Sequence, residues 1–348
     1  MSAASTTPPV STAALRSVEG IVCILAGMLL FVGQDVLMKG LLGLYPVWML
    51  IFIRSMVTIV LLMPLIWVLG PPHRIASPFW PWHLARAFLF AFGFSMFYAA
   101  FPFMGLAEVT TLFFAAPLIT AGMAALFLGE RIGLHRSGAL IVGFLGVVIA
   151  MNPTGETFQW IAILPILCAV CYAASQIIMR RIGERDSTLT VGLYTLGLAG
   201  LMIGPMGWAL NQVIEIGPEL AHLSTDWSMP EVGNWAWLAL LGAIGMVAYM
   251  LVSRAYQVAS ASVVAPFDYT YLPIAAVMAY LLWDEVPGWS TVIGMALIVV
   301  SGIYIGYREL GAARAPGTAP PTAEATYAPG NPYTDLAPDS PADDRHRF

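Results

Sequence analysis

Apolar residues fall into ten runs along the chain, with the polar residues gathered between them. Each run is close to the roughly 20 residues that a helix needs to cross a bilayer. The runs cover about 18–38, 46–69, 82–104, 107–128, 134–151, 158–180, 188–211, 234–256, 261–283 and 288–307. Their lengths predict helices; a transmembrane barrel would alternate apolar and polar residues over strands of about ten. Residues 1–17 are rich in Ser, Thr, Pro and Ala, and residues 309–348 are rich in Pro. Neither tail has the apolar content to build a core, so both are expected to be disordered. The predicted architecture is an all-α polytopic membrane protein of ten transmembrane helices.

The pattern repeats. Pro117 to Ile149 and Pro273 to Ile305 each hold an apolar helix opening near a proline, an acidic break, and a glycine-studded apolar helix. At an offset of 156, Pro117 falls on Pro273, Gly138 on Gly294 and Gly146 on Gly302, while Glu130 meets Glu285 at 155. Gln34 and Lys39 match Gln176 and Arg181 at 142, Pro64 matches Pro205 at 141, and Tyr98 matches Tyr249 at 151. Self-similarity at a nearly fixed offset marks a duplicated plan. Residues 18–151 and 152–308 therefore read as two five-helix repeats. Five crossings is an odd number, so the second repeat must lie upside down relative to the first. Inverted repeats are the mark of secondary transporters, whose substrate site lies near the midplane between the halves.

Composition strengthens the membrane assignment. The chain is 59% hydrophobic and 10% charged, against about 45–50% apolar and about 25% charged in soluble domains. The net charge of −5 sits in loops and tails and offers no basic surface to nucleic acid. With the N-terminus in the cytoplasm, the inner side collects Arg16, Arg74, Arg86, Arg131, Arg136, Arg180, Arg181, Arg185, Arg254, Arg308, Arg314, Arg345 and Arg347. The outer side collects only Lys39, and Arg54 lies within a run. The positive-inside rule then predicts a multi-pass protein of the inner membrane with both termini cytoplasmic. The first run lacks a basic leader and an A-x-A cleavage site, so it is expected to remain as a span. Cys168-x-x-Cys171 has no second pair or nearby His and reads as packing, so no metal and no cofactor are predicted. The chain has no G-x-x-x-x-G-K-[ST], which excludes direct drive by ATP, and no H-E-x-x-H or G-x-S-x-G. An intramembrane enzyme is the remote alternative, requiring Asp35 and Asp268 to adjoin at equal depth.

The Pro117…Leu128-Gly129-Glu130…Gly138…Gly146 run and its twin resemble the drug/metabolite transporter superfamily, specifically EamA-type transporters, over residues 18–308. Gln34-Asp35-x-x-x-Lys39 followed by Arg54-Ser55 is similar to the branch of riboflavin and S-adenosylmethionine uptake proteins. So is Pro266-Phe267-Asp268-Tyr269 followed by Glu285-x-Pro287. The resemblance implies a ten-helix basket with a central cavity lined mainly by the first, third, fourth, sixth, eighth and ninth helices, working by alternating access. It implies a small organic substrate, with uptake of a riboflavin-like vitamin as the first expectation and efflux of amino acids or drugs as the alternative.

Charged groups inside a bilayer cost about 2.5–3.5 kcal/mol on insertion scales and so turn inward. Asp268, deep in the ninth run, shares a helical face with Tyr271 and is the first candidate for a carboxylate that binds a substrate donor or a proton. The competing reading makes it a structural partner of Arg54 or of a tyrosine. Asp35 serves coupling, or simply pairs with Lys39 one turn on. Gln34 and its twin Gln176, on a face with Tyr172, suit hydrogen bonding to a substrate or between helices. Arg54 attracts an anion or forms a structural ion pair. Glu108 guards the outer end of the fourth run, or serves as a helix N-terminal carboxylate. Glu130 and Glu285 are expected at helix ends, with Arg131 or Arg136 as gate partners for Glu130.

Phe97, Tyr98, Phe101, Phe113, Phe114, Tyr172, Tyr249, Tyr269 and Tyr271 lie in spans that the resemblance assigns to the cavity, where a flat heterocycle would stack. Trp48, Trp80, Trp82, Trp235, Trp237, Trp283 and Trp289 fall near run ends, as interfacial anchors do. Gly200-x-x-x-Gly204 and Gly302-x-x-x-Gly306 permit close helix contact, inside the chain by default or across a homodimer face. Pro117, Pro266 and Pro273 are expected to interrupt the fourth and ninth runs.

Overall fold

The computed structural model describes residues 12–70, 73–128, 134–152, 160–182, 186–213, 217–259 and 261–313. Most of both predicted tails (1–11 and 314–348), together with Glu130 and Arg131, lies outside the described residues. Among the described residues the chain is helical, without strands. The first half comprises α1 (Thr12–Leu41), α2 (Val47–Leu69), α3 (Trp80–Ala99), α4 (Leu106–Phe113), α5 (Ala116–Leu128) and α6 (Leu134–Met151). The second comprises α7 (Ile163–Ile182), α8 (Thr188–Gly192), α9 (Leu198–Val213), α10 (Trp235–Val258), α11 (Ala261–Asp268), α12 (Tyr271–Trp283) and α13 (Trp289–Ala313). A π-helical turn, Leu193–Gly197, joins α8 to α9.

Two of these junctions are breaks within a single apolar run. The turn Phe114–Ala115 separates α4 from α5, and Tyr269–Thr270 separates α11 from α12. Both follow from proline. A proline has no N–H to give and its ring collides with the carbonyl four residues back. For Pro117 that carbonyl belongs to Phe113, the last residue of α4; for Pro273 it belongs to Tyr269, in the turn itself. The two breaks occupy equivalent positions in the two halves. Pro64 and Pro205, by contrast, are carried inside α2 and α9, and Pro266, expected to interrupt its run, is carried inside α11 in the same way.

Cross-helix contacts fix the direction of each element. Glu19, early in α1, meets Arg254 near the end of α10, whereas Lys39, in the last turn of α1, meets Glu285 just past α12. His83, early in α3, bonds Asp186 just past α7, and Ala99, at the end of α3, bonds His222. One face of the bundle thus gathers the ends near residues 39–48, 99–108, 217–235 and 283–289. The opposite face gathers Glu19, Ser77, His83, Asp186 and Arg254. It follows that α7 runs opposite to α1, and α10 opposite to α3.

Packing respects the same exchange of halves. The pairing of α1 with α10 is mirrored by α7 with α3, that of α2 with α10 by α9 with α3, and that of α12 with α1 by α5 with α7. Helices α6 and α13 pair with each other, and Gly146 and Gly294 bring their backbones together: a methyl on either glycine would strike the other's carbonyl oxygen, at 2.9 Å for Gly146. Gly200 lies against Ser55, and Gly302 against Tyr269. These small residues are therefore used inside the chain.

Among the described residues, six helical stretches are by length and composition apolar enough to cross a membrane, and Ser137–Met151 and Trp289–Ile305 are shorter apolar helices. Helix α3 is less apolar because Trp80, Pro81, Trp82, His83 and Arg86 occupy its first seven positions. The outer surface is apolar: Trp67 is 78% exposed and Leu281 64%. Asp35, Arg54, Arg86 and Asp268 are buried. That inversion of the soluble pattern suits a hydrocarbon surround, and the chain is a multi-pass membrane protein. One anchor expectation fails. Trp48 is buried and donates to the Leu223 carbonyl at 2.9 Å, so it ties α2 to the loop before α10 and does not sit at an interface.

Candidate functional site

Asp35 lies six residues before the end of α1, about 9 Å along the axis at 1.5 Å per residue. Two phenols from different halves converge on its carboxylate. Tyr98, of α3, donates to Oδ1 at 3.0 Å, and Tyr271, the first residue of α12, donates to Oδ2. The Tyr98 oxygen in turn accepts from Nη1 of Arg54 at 2.8 Å and from the Gln34 amide at 3.2 Å. One donated and two accepted bonds exhaust a hydroxyl. The Arg54 guanidinium also lies 5.4 Å from the centroid of the Tyr98 ring, within cation–π range. Five side chains from α1, α2, α3 and α12 thus form one buried network. Each polar group offsets the desolvation of its neighbours.

A small cavity adjoins the network. Its volume is about 40 Å³, and Gln34, Arg54, Ser55 and Thr58 line it together with Phe31, Phe90, Phe94, Tyr172, Leu196, Gly245 and Tyr249. Gly245 is needed for this geometry, because the Gln34 side-chain oxygen occupies the position a Cβ there would take. Gln176 donates to the Tyr172 hydroxyl at 3.0 Å and so steadies one wall. Behind the cavity the aromatic rings continue without a gap. Phe94 contacts Phe97, Tyr98 and Phe113; Phe113 contacts Phe114 and Tyr172; Phe114 contacts Tyr269 and Tyr271, each at 5.6 Å. Phe114 and Tyr269 belong to the two helix breaks.

Gln34, Asp35, Arg54, Tyr98, Tyr271, Tyr172, Tyr249, Gln176 and Phe114 are therefore neighbours. Asp268 is held elsewhere: Tyr256 of α10 donates to its Oδ2 at 2.7 Å. Arg54 bonds Tyr98, not Asp268. Ser55, read only as part of the Arg54-Ser55 motif, lines the cavity, and Thr58, Phe90, Phe94 and Gly245 join it without having been singled out. Their signal was helical spacing: Phe90, Phe94 and Tyr98 succeed one another at one-turn intervals, as do Gly245 and Tyr249.

At the first-described face, Lys39 pairs with Glu285 and not with Asp35. The reason is the left-handed Asp284 (φ 54°), which ends α12 and turns Glu285 back over the bundle. Glu285 also accepts from the Leu106 amide at 3.0 Å, and so clasps α1 to the N-terminus of α4. The Lys39 ammonium lies 4.9 Å from the Trp283 ring centroid. Glu108 accepts from the Gly105 amide at 3.3 Å, as an N-terminal carboxylate should. Lys39, Glu285 and Glu108 all line a second cavity, of about 580 Å³.

A family model described as the EamA-like transporter family matches residues 18–152 and, a second time, residues 159–307. The chain belongs to the EamA-like transporter family. This EamA-like protein is 29% identical to the riboflavin transporter of Vibrio cholerae over 256 residues, which is 73% of this chain and 80% of that one. It is 30% identical to the riboflavin transporter of Rhizobium johnstonii over 240 residues, 68% of this chain and 74% of that one. It is 27% identical to the S-adenosylmethionine uptake transporter of Rickettsia bellii, over 74% of this chain and 83% of that one. The family and the relatives make this EamA-like protein a membrane transporter.

Proposed function

We propose that the protein takes up a riboflavin-like vitamin across the inner membrane by alternating access, through ten helical crossings arranged as two inverted five-helix repeats with both termini in the cytoplasm. The antiparallel course of α1 against α7 and of α3 against α10 supports the inverted arrangement, and the loop charges support the orientation. The small cavity beside Asp35 carries the functional reading. It joins hydrogen-bonding groups (Gln34, Arg54, Ser55, Thr58) to aromatic walls (Phe90, Phe94, Tyr172, Tyr249) where the two halves meet. A fused heterocycle has apolar faces for such walls and polar edges for such groups.

At about 40 Å³ the cavity holds little more than one water. A metabolite fits only after the helices part, and the helix breaks at Phe114–Ala115 and Tyr269–Thr270 provide flexure for that motion. In this reading Gln34, Arg54, Tyr172 and Tyr249 contact the substrate, and Gln176 and Phe114 hold the walls. Asp35 is the coupling carboxylate, released from Tyr98 and Tyr271 when the site opens. Asp268, held by Tyr256, is a second coupling candidate. Expression in a riboflavin-auxotrophic bacterium is expected to restore growth at low vitamin. Absence of rescue with the protein present in the membrane would sink the uptake reading, and accelerated loss of preloaded vitamin would replace it with efflux.

A further inference from the structure

We propose that the 580 Å³ cavity is a vestibule site that selects uncharged or cationic planar heterocycles before they reach the Asp35 network. Small-molecule sites occupy about 300–1,000 Å³, a range that includes this cavity and excludes the one at Asp35. Its walls include Phe101, Phe103 and Trp283, with the His222 ring edge-on to Phe103 at 5.4 Å. Large rings facing an open space of this size give a flat ligand surfaces to stack on.

Charge decides which ligands enter. Among the described lining residues Lys39 is the one cation, and it is already paired with Glu285. Glu108 adds a second carboxylate. His222 adds no positive charge at neutral pH: burial pushes its pKa below the ordinary value and outweighs the Ala99 carbonyl that accepts from its Nε2. The formal sum of the lining is one cation against two anions. Asp226, Glu231 and Asp284 lie in the surrounding loops, which contain no Lys or Arg. A concave site with this balance concentrates cations, admits neutral molecules and repels anions.

The position of this site on the uptake route rests on the proposed function; its charge selectivity does not. The test therefore separates them. In the full-length protein in membrane vesicles, Cys23, Cys168 and Cys171 are replaced by serine and Phe103→Cys is introduced. The new thiol is then labelled with a cationic (trimethylammonium) or an anionic (sulfonate) methanethiosulfonate. After correction for the reagents' rates on a free thiol, the cationic one is expected to react about tenfold faster. Adding Glu108→Gln, which keeps an acceptor for the Gly105 amide, is expected to lower that preference about threefold. Riboflavin or S-adenosylmethionine is expected to slow the labelling. Protection by S-adenosylmethionine alone keeps the vestibule and counts against riboflavin as the substrate. Equal labelling by the two reagents, or protection by neither compound, would overturn the vestibule.

Discussion

Tyr271 of the second half and Tyr98 of the first donate to opposite oxygens of the Asp35 carboxylate. The two halves are therefore joined through three side chains. Asp35→Asn removes the charge and turns an amide N–H₂ toward one phenol, replacing an attraction with a clash of donors. Initial uptake rates in vesicles are expected to fall at least tenfold, with membrane abundance near that of the parent. Unchanged rates would remove Asp35 from the mechanism.

Tyr98→Phe deletes one oxygen and leaves Asp35, Arg54 and Gln34 each short of a partner. Unsatisfied buried groups cost about 1–3 kcal/mol, and more when charged. The purified protein is expected to unfold several degrees lower on heating. Tyr271→Phe should cost less, since its hydroxyl serves the one carboxylate of Asp35 whereas that of Tyr98 joins three charged or polar groups. Equal melting temperatures in the two variants would contradict the network.

Lys39→Glu combined with Glu285→Lys should fail to restore activity lost in either single variant. Glu285 accepts from the Leu106 amide as well as from Lys39, and a lysine at 285 cannot accept. Full rescue by the swap would mean that the ion pair alone matters there.

Gly294→Val and Gly138→Val probe the duplicated hairpin. The two glycines are equivalent in the repeats but not in their surroundings. Gly294 meets the carbonyl of Gly146, whereas nothing lies within 4 Å of the position a Cβ would take at Gly138. Accumulation in the membrane is expected to drop severalfold for Gly294→Val and to stay near normal for Gly138→Val, as read by immunoblot of washed membranes. A deficit for Gly138→Val alone would point to an intermolecular face.

Asp268→Asn and Tyr256→Phe should share one phenotype, and the double variant should be no worse than the worse single one. Non-additivity of this kind is expected when two groups act through one contact. An additive loss in uptake would give Asp268 a role independent of Tyr256.

The helices were legible because each depends on residues near in sequence, and the doubling because the same local pattern recurs at a nearly fixed offset. Apolar runs set length, and Pro117 and Pro273 set the breaks. The site was legible only in part, because it depends on which helices adjoin. Asp35 and Lys39 are one turn apart, so spacing suggested a pair. The left-handed turn at Asp284 brings Glu285 to Lys39 from a helix more than 240 positions on, and no local pattern announces that. Asp268 stood out because it is deep within its run, yet depth does not reveal that Tyr256 is its neighbour. Trp48 lies near a run end as an anchor would, but the loop that covers it belongs to the other half.

The network around Asp35 has no twin. At the repeat offsets of 142 and 141, Asp35 falls on Ile177 and Arg54 on Thr195, while Gln34 and Tyr98 keep their counterparts Gln176 and Tyr249. Two identical inverted halves would give conformations of equal energy related by a twofold rotation, one open to each side. Here the carboxylate and guanidinium of the network are not repeated in the other half's sequence. Under the proposed alternating access the degeneracy is lifted, so that the unloaded carrier is expected to rest on one side and the cargo to supply the difference that brings it back.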